Sequence, residues 1–359
     1  MIHILIGTKA QLIKMAPIMR ALLDRGVGYN FIHTGQHRET IEDILADFSL
    51  PDPDFYLDNG PDIKQKTQVP KWIFNCLKRT GQSSSCWSGR KRGDKDVVLV
   101  HGDTLSTVIG ALAAKRMGFK CGHVESGLRS FNFLHPFPEE LIRVATFRLA
   151  DILFCPGASA VKNVVFLEKR KKVIDTFGNT MLDATRHAVQ ASVSSVPSNY
   201  GIVSIHRYEN IFYTQRLTWI VEKIIEQSRR YPMIFVMHPP TEQRLRDTGL
   251  YEKLSSEPGI ELRKRFSYFE FAGVLARARF LVTDGGSNQE ESSYLGLPCL
   301  VMRKSTERTE GVGNNVLLSN YSERSVEQFF SDPENYRKPS LLSDKSPSEI
   351  IVKDLESYF

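Results

Sequence analysis

Short apolar runs alternate with longer amphipathic ones from the start of the chain. "IHILIG" (2–7) predicts a buried strand, and "IKMAPIMRALLDRG" (13–26) has helical spacing closed by a glycine. "YNFIHTG" (29–35), "DVVLVHGD" (96–103), "CGHVESG" (121–127) and "DILFCPG" (151–157) continue the strands, with the helical "STVIGALAAKRMG" (106–118) between two of them. Continuous apolar strands separated by helices imply parallel βαβ units and a sheet covered on both faces.

The pattern then begins again. "KVIDTFG" (172–178), "GIVSIHR" (201–207), "MIFVMHP" (233–239), "GIELRK" (259–264), "FLVTDGG" (280–286) and "PCLVMR" (298–303) predict a second set of strands. Helical stretches such as "RLTWIVEKIIEQSRR" (216–230) and "YFEFAGVLARA" (268–278) lie between them. Two consecutive α/β sheets are the simplest account: a first domain over 1–165, a second over 166–340, and a boundary near 160–172 in "FLEKRKK". The final "SPSEIIVKDLESYF", within 341–359, is expected to form a helix packing back on the first domain. The segment 58–95, with "GQSSSCWSG" and "GRKRGDK", predicts a helix around 66–79 and then a flexible surface loop. No internal repeat of solenoid type is present.

Length agrees with this division: 359 residues give two domains at roughly 150 residues each. With 41% apolar and 25% charged residues, a full core is possible. The net charge of +6 is mild, with only the short basic run at 89–95, so an acidic small molecule fits the balance at least as well as nucleic acid. Five cysteines (Cys76, Cys86, Cys121, Cys155, Cys299) without a CxxC predict buried free thiols in a reducing compartment. The first apolar run is short and holds His3, unlike a signal peptide, and no stretch approaches the roughly 20 apolar residues of a membrane span. A cytoplasmic protein without membrane partners is expected.

Ligands of open α/β sheets bind outside the carboxyl ends of the strands, and polar residues gather at those ends. Thr8, Lys9 and Lys14 follow the first strand, Gln36 and His37 the second, His101 and Asp103 the next, and Glu125 the next. In the second half His206 and Arg207, then His238, then Asp284 with Gly285 and Gly286, then Arg303 do the same. Solvent at a strand exit explains one such residue; the recurrence in both halves favours a shared cleft. "HVESGLRSFNFLHPFPEE" (123–140) is the densest case, with Glu125, Glu139, Glu140 and Arg129 between a strand and a helix.

Dinucleotide and P-loop fingerprints are missing. In "TDGGSNQEE" (283–291) a strand leaves through two glycines into Ser287, which can cap a helix, and amides at a helix start can hold phosphate. An ordinary capped helix with dipole-favoured acids is the plain alternative. The histidines, His135 and His187 among them, are scattered and form no HExxH, so no metal is expected. In "HRYEN" (206–210) a functional His206 and a helix cap by Asn210 stand equally.

Taken in order, "GTKAQLIKMAP", "TGQH", "HGDTLST", "HVESGLRS", "PFPEELIR", "GNTMLD", "HRYEN", "HP", "DGGSNQEE", "LGLP" and "RKSTERTEG" resemble the non-hydrolysing UDP-N-acetylglucosamine 2-epimerase family over about residues 1–320. The resemblance implies two Rossmann-like doubly wound parallel-sheet domains, arranged as in GT-B glycosyltransferases, with an interdomain cleft. It implies epimerisation of UDP-GlcNAc to UDP-ManNAc for surface polysaccharide precursors, through loss of UDP to 2-acetamidoglucal and its re-addition. No cofactor is implied; the partners are the UDP-sugar, UDP and a second copy in a homodimer.

By resemblance, Asp103, Glu125 and Glu139 are the catalytic acids and His206 the diphosphate or leaving-group partner. Arg207, His238, Ser287 and Glu291 bind the nucleotide, and Lys9, Lys14, Arg129, Gly285, Gly286 and Arg303 complete the substrate-binding set. The chain departs from the family where Lys9, Ala10 and Gln11 replace Arg, Pro and Glu, and where the serine of Asp-Ser-Gly-Gly is displaced to Ser287. Lysine keeps the charge and loses the bidentate fork. Gln36 survives from the region where bacterial members bind an activating second UDP-GlcNAc, but 58–95 diverges. A hydrolysing 2-epimerase, an epimerase of a deoxy or uronic acid UDP-2-acetamido sugar, a GT-B glycosyltransferase and an inactive UDP-sugar binder are the alternatives.

Overall fold

The computed structural model describes residues 1–36, 41–60, 62, 66–82, 85–91, 93, 95–133, 137–192, 199–306, 308–343 and 345–358. Expectations resting on His37, His135 and parts of 58–95 and 304–311 lie outside these residues. The chain divides into two compact units, Met1–Ala184 with Lys345–Phe359, and Thr185–Asp344.

The first unit is built on β1 (Ile2–Ile6), β2 (Tyr29–His33), β3 (Phe55–Tyr56), β4 (Val97–His101), β5 (Lys120–Val124), β6 (Ile152–Cys155) and β7 (Lys172–Asp175). They form one parallel sheet in the order β3-β2-β1-β4-β5-β6-β7. β1 and β4 are buried at every position, as their unbroken apolar runs require of strands covered on both faces. The second unit holds β8 (Gly201–Ser204), β9 (Met233–Met237), β10 (Ile260–Lys264), β11 (Phe280–Thr283), β12 (Cys299–Val301) and β13 (Val316–Leu318). Their parallel order is β10-β9-β8-β11-β12-β13, and the reversal beside β8 and β11 is where doubly wound sheets take ligands.

Three local expectations are corrected. "KVIDTFG", assigned above to the second half, is β7, pairing from Ile152↔Lys172 to Cys155↔Asp175 on the edge of the first sheet. The units therefore part at 184, inside the helix Met181–Ala191, rather than at 165. The stretch read as a flexible surface loop carries Cys86 and Trp87 into the core, where the Trp87 indole donates to the Thr80 carbonyl at 2.9 Å. Near the C-terminus, the helix Pro347–Asp354 belongs to the first unit; Arg25 bonds Glu349 at 2.5 Å and Glu356 at 3.2 Å. All five cysteines are free and buried. Among the described residues no helix is long and apolar enough to cross a membrane.

Candidate active site

In the first unit the polar residues converge where β4 and β5 end. Glu125 leaves β5 with φ 64°, a left-handed conformation that a non-glycine residue adopts at a cost. Its side chain is 7% exposed and accepts from Lys14 Nζ at 2.9 Å and Asn179 Nδ2 at 2.7 Å through Oε1. Oε2 lies 3.1 Å from His101 Nε2. Lys14, 4% exposed, comes from the helix Lys9–Asp24 that follows β1. The start of that helix is tied to β4 by Gln11, whose amide donates to the His101 carbonyl at 2.7 Å and to Thr107 Oγ1 at 3.1 Å. A glutamate there would lack those donors, so this departure from the family pattern is built into the packing.

Asp103, two residues beyond β4, is gripped by Arg143 Nη2 at 2.5 Å. Arg143 also lies 3.7 Å from Glu140, which is fully buried and accepts from Arg129 Nε at 2.5 Å, Ser130 N at 3.0 Å and Phe131 N at 3.2 Å. Burial pushes the Glu140 carboxyl up, but Ser130, Arg129 and Arg143 together hold it below the usual carboxylate range. Glu139 opens the helix Glu139–Leu149, and its Oε2 is buried without a hydrogen-bond partner among the described residues. The adjacent glutamates thus diverge: Glu140 organises the Arg129 loop, while Glu139 keeps an unused oxygen. The structure places Arg129 on Glu140 and Lys14 on Glu125; Lys9 Nζ lies 3.9 Å from Asp43.

His123 is buried between these groups. It hydrogen-bonds the Gly102 carbonyl at 2.8 Å, holding the turn that carries Asp103, and burial pushes its pKa down to about 4. His3, buried on β1 beside Asp96, is likewise lowered to about 4, chiefly by burial. Both pKa values are depressed from about 6.5 in the unfolded chain, which therefore binds more protons between those limits. Their contribution is complete above pH 6.5 and is lost as pH falls toward 4, at up to about 1.4 kcal/mol per pH unit for each histidine. The melting temperature is expected to fall from pH 7 to pH 4, less steeply in His123→Asn. A flat profile over that range would contradict both assignments.

In the second unit the centre is Asp284, fully buried at the end of β11. It accepts from the backbone amides of His206 (3.0 and 3.2 Å) and Arg207 (3.0 Å) and from Asn210 Nδ2 (2.8 Å). The rings of His206 and His238 lie 4.6 Å apart, and His238 Nε2 is 3.1 Å from Ser204 Oγ. Burial pushes both imidazoles down, His238 to about 4. Two capping expectations are corrected. The helix Gly286–Leu295 starts one residue before Ser287, with Gly285 at the cap position and so no capping side chain; the Gly285 amide donates to Thr283 Oγ1 at 3.0 Å. Asn210 sits inside the short helix Tyr208–Ile211 and bonds Asp284 and the Met302 carbonyl instead of capping. Glu291 accepts from Asn288 at 3.1 Å, and Arg303 pairs with Glu209 at 3.0 Å.

The sequence pattern gives Arg143 and Asn179 no place in the candidate set and marks Asp284 only as a strand-exit residue without a role. The signal for Arg143 was its position one turn after Glu139, which puts it on the same helix face. Asn179 carried none beyond its place in "GNTMLD". Among the described residues no group of three or more His, Cys, Asp or Glu side chains is placed to hold a metal ion.

The sequence pattern of UDP-N-acetylglucosamine 2-epimerases matches residues 21–344. The chain belongs to that family. The UDP-N-acetylglucosamine 2-epimerase of Methanocaldococcus jannaschii is 33% identical to it over 370 residues, covering 98% of this chain and 97% of that protein. A structure of the epimerase from that organism, solved in complex with UDP-GlcNAc and UDP, superposes with a TM-score of 0.79 at 30% identity, covering 99% of each chain. The family relative from Pseudomonas aeruginosa, a UDP-2,3-diacetamido-2,3-dideoxy-D-glucuronate 2-epimerase, is 31% identical over 329 residues, 88% of this chain and 87% of that protein.

Proposed function

We propose that this chain is an isomerase that inverts C2 of a UDP-2-acetamido sugar, converting UDP-GlcNAc to UDP-ManNAc without net hydrolysis. The C1–O bond breaks, and its electron pair leaves with UDP. A carboxylate takes the C2 proton, and the C–H pair forms the C1=C2 bond of 2-acetamidoglucal. UDP then re-adds at C1 while a proton is delivered to the opposite face of C2. Departure of UDP is what makes the C2 proton acidic enough for a carboxylate, because no carbonyl adjoins that carbon.

The observation that carries this reading is the set of acids on the first unit. Glu125, with Lys14 and Asn179 donating to it and His101 Nε2 3.1 Å away, is suited to stabilising positive character at C1. Glu139, with its unpartnered buried oxygen, and Asp103, held by Arg143, are the groups we assign to taking and returning the proton. On the second unit, His206 serves the departing diphosphate. The amides at the start of Gly286–Leu295, with Arg207, His238, Ser287 and Glu291, hold the nucleotide. Lys9, Lys14, Arg129 and Arg303 complete the substrate-binding set.

The test is incubation with UDP-GlcNAc in deuterated water, followed by NMR. The expected result is deuterium at C2 and a UDP-sugar of both configurations. Free ManNAc with UDP as the only products would assign the chain to the hydrolysing reaction instead. The Pseudomonas relative's name favours one further reading, a uronic acid substrate, and UDP-2,3-diacetamido-2,3-dideoxy-D-glucuronate as a competing substrate checks it.

A further inference from the structure

We infer that Asp284 is a positioning residue for His206: it fixes the imidazole's tautomer and orientation, and Gly285 provides the space the ring occupies. The inference rests on the reading of His206 as the diphosphate partner and deepens it.

The buried carboxylate already gathers three donors, the amides of His206 and Arg207 and the side chain of Asn210. An ionised carboxylate has about four lone-pair sites, so one place remains. His206 Nδ1 is buried and has no hydrogen-bond partner among the described residues; Asp284 Oδ1 lies 3.4 Å from it. That separation exceeds a formed hydrogen bond and closes with a small rotation of the ring, as catalytic contacts do when substrate binds. Proton on Nδ1 leaves the Nε2 lone pair for chemistry. A Cβ on Gly285 would stand 2.8 Å from His206 Cε1, so the ring reaches this place only because residue 285 has no side chain.

The charges around His206 come from four elements. Asp284 follows β11, Arg207 adjoins His206 on the loop after β8, His238 follows β9 and Arg265 follows β10. Asp284 is the anion of the set. When His206 takes a proton, Asp284 stabilises the imidazolium against Arg207 and Arg265. A merely structural carboxylate would hold the His206–Asn210 loop and leave the ring's proton chemistry alone.

The experiment uses the full-length protein with 15N-labelled histidine, the His206 signal being assigned by its loss in His206→Asn. Imidazole 15N shifts are followed from pH 5 to 9, with kcat and KM measured alongside. The expected wild-type ring is the Nδ1–H tautomer. In Asp284→Asn the His206 pKa drops by about one unit or more, and kcat falls about 10- to 100-fold with little change in KM. Gly285→Ala keeps Asp284 and its backbone bonds, and is expected to lose the coupling through displacement of the ring, so the proposal stays testable where Asp284→Asn does not fold. A wild-type Nε2–H ring, or an unchanged His206 pKa in both variants, overturns the proposal. If the coupling is found while His206→Asn keeps full kcat, the positioning stands and the role given to His206 falls.

Discussion

Glu139→Gln is expected to lower turnover of UDP-GlcNAc about 10²- to 10⁴-fold, with a melting temperature within about 2 °C of wild type. Glutamine keeps the shape of the side chain and cannot carry the C2 proton. The fold has little stake in this charge, since Oε2 has no partner among the described residues and the helix start loses only a modest dipole interaction. Glu140→Gln is the internal control. It strips the negative charge from a fully buried carboxylate that Arg129, Ser130 and Phe131 converge on, with Arg143 close by. It should cost about 3–5 kcal/mol of stability by leaving buried cations short of their partner. Two adjacent glutamates therefore separate activity from stability. Measured by kcat, C2 deuterium exchange and thermal unfolding, equal behaviour of the two variants would remove Glu139 from the chemistry.

What the sequence made legible was whatever repeats locally. Strands such as β1 and β4 announce themselves because a strand covered on both faces is apolar at every position. β3, two residues of "FY", and β13, "VLL", are too short to carry a periodicity. β7 was visible as a strand, but its neighbour was not, because apolar alternation says nothing about which sheet edge a strand joins. "GQSSSCWSG" misled for a related reason: small polar residues suit a loop, yet Trp87 turns its indole inward onto Thr80. In the site, individual acids stood out at strand exits, whereas their donors did not. Glu125 is met from positions 14, 101 and 179, on three separate strand–helix units that only the parallel order of the sheet brings together. Glu139 and Glu140 look identical in sequence, and a turn of about 100° per residue along the helix sends one carboxylate inward.

Lys14→Met is expected to destabilise the first unit by about 3–5 kcal/mol and to abolish measurable turnover. The ammonium and the Glu125 carboxylate are 2.9 Å apart and nearly excluded from solvent, at 4% and 7% exposure. Methionine matches the lysine stem in length, so packing survives and the loss falls on electrostatics. Asn179 still donates to the carboxylate, but it is a neutral donor, and a buried anion that loses its ammonium partner is costly. The position of Glu125 raises the stakes, because its left-handed backbone is kept in place by the contacts its side chain makes. Combining Lys14→Met with Glu125→Gln removes the uncompensated charge, and should recover about half or more of the lost stability while turnover stays absent. Urea unfolding of the two single variants and the double variant gives the coupling directly. Additive losses, with no recovery in the double variant, would mean that Lys14 and Glu125 do not act as a pair, and Glu125 would then need another source for its charge.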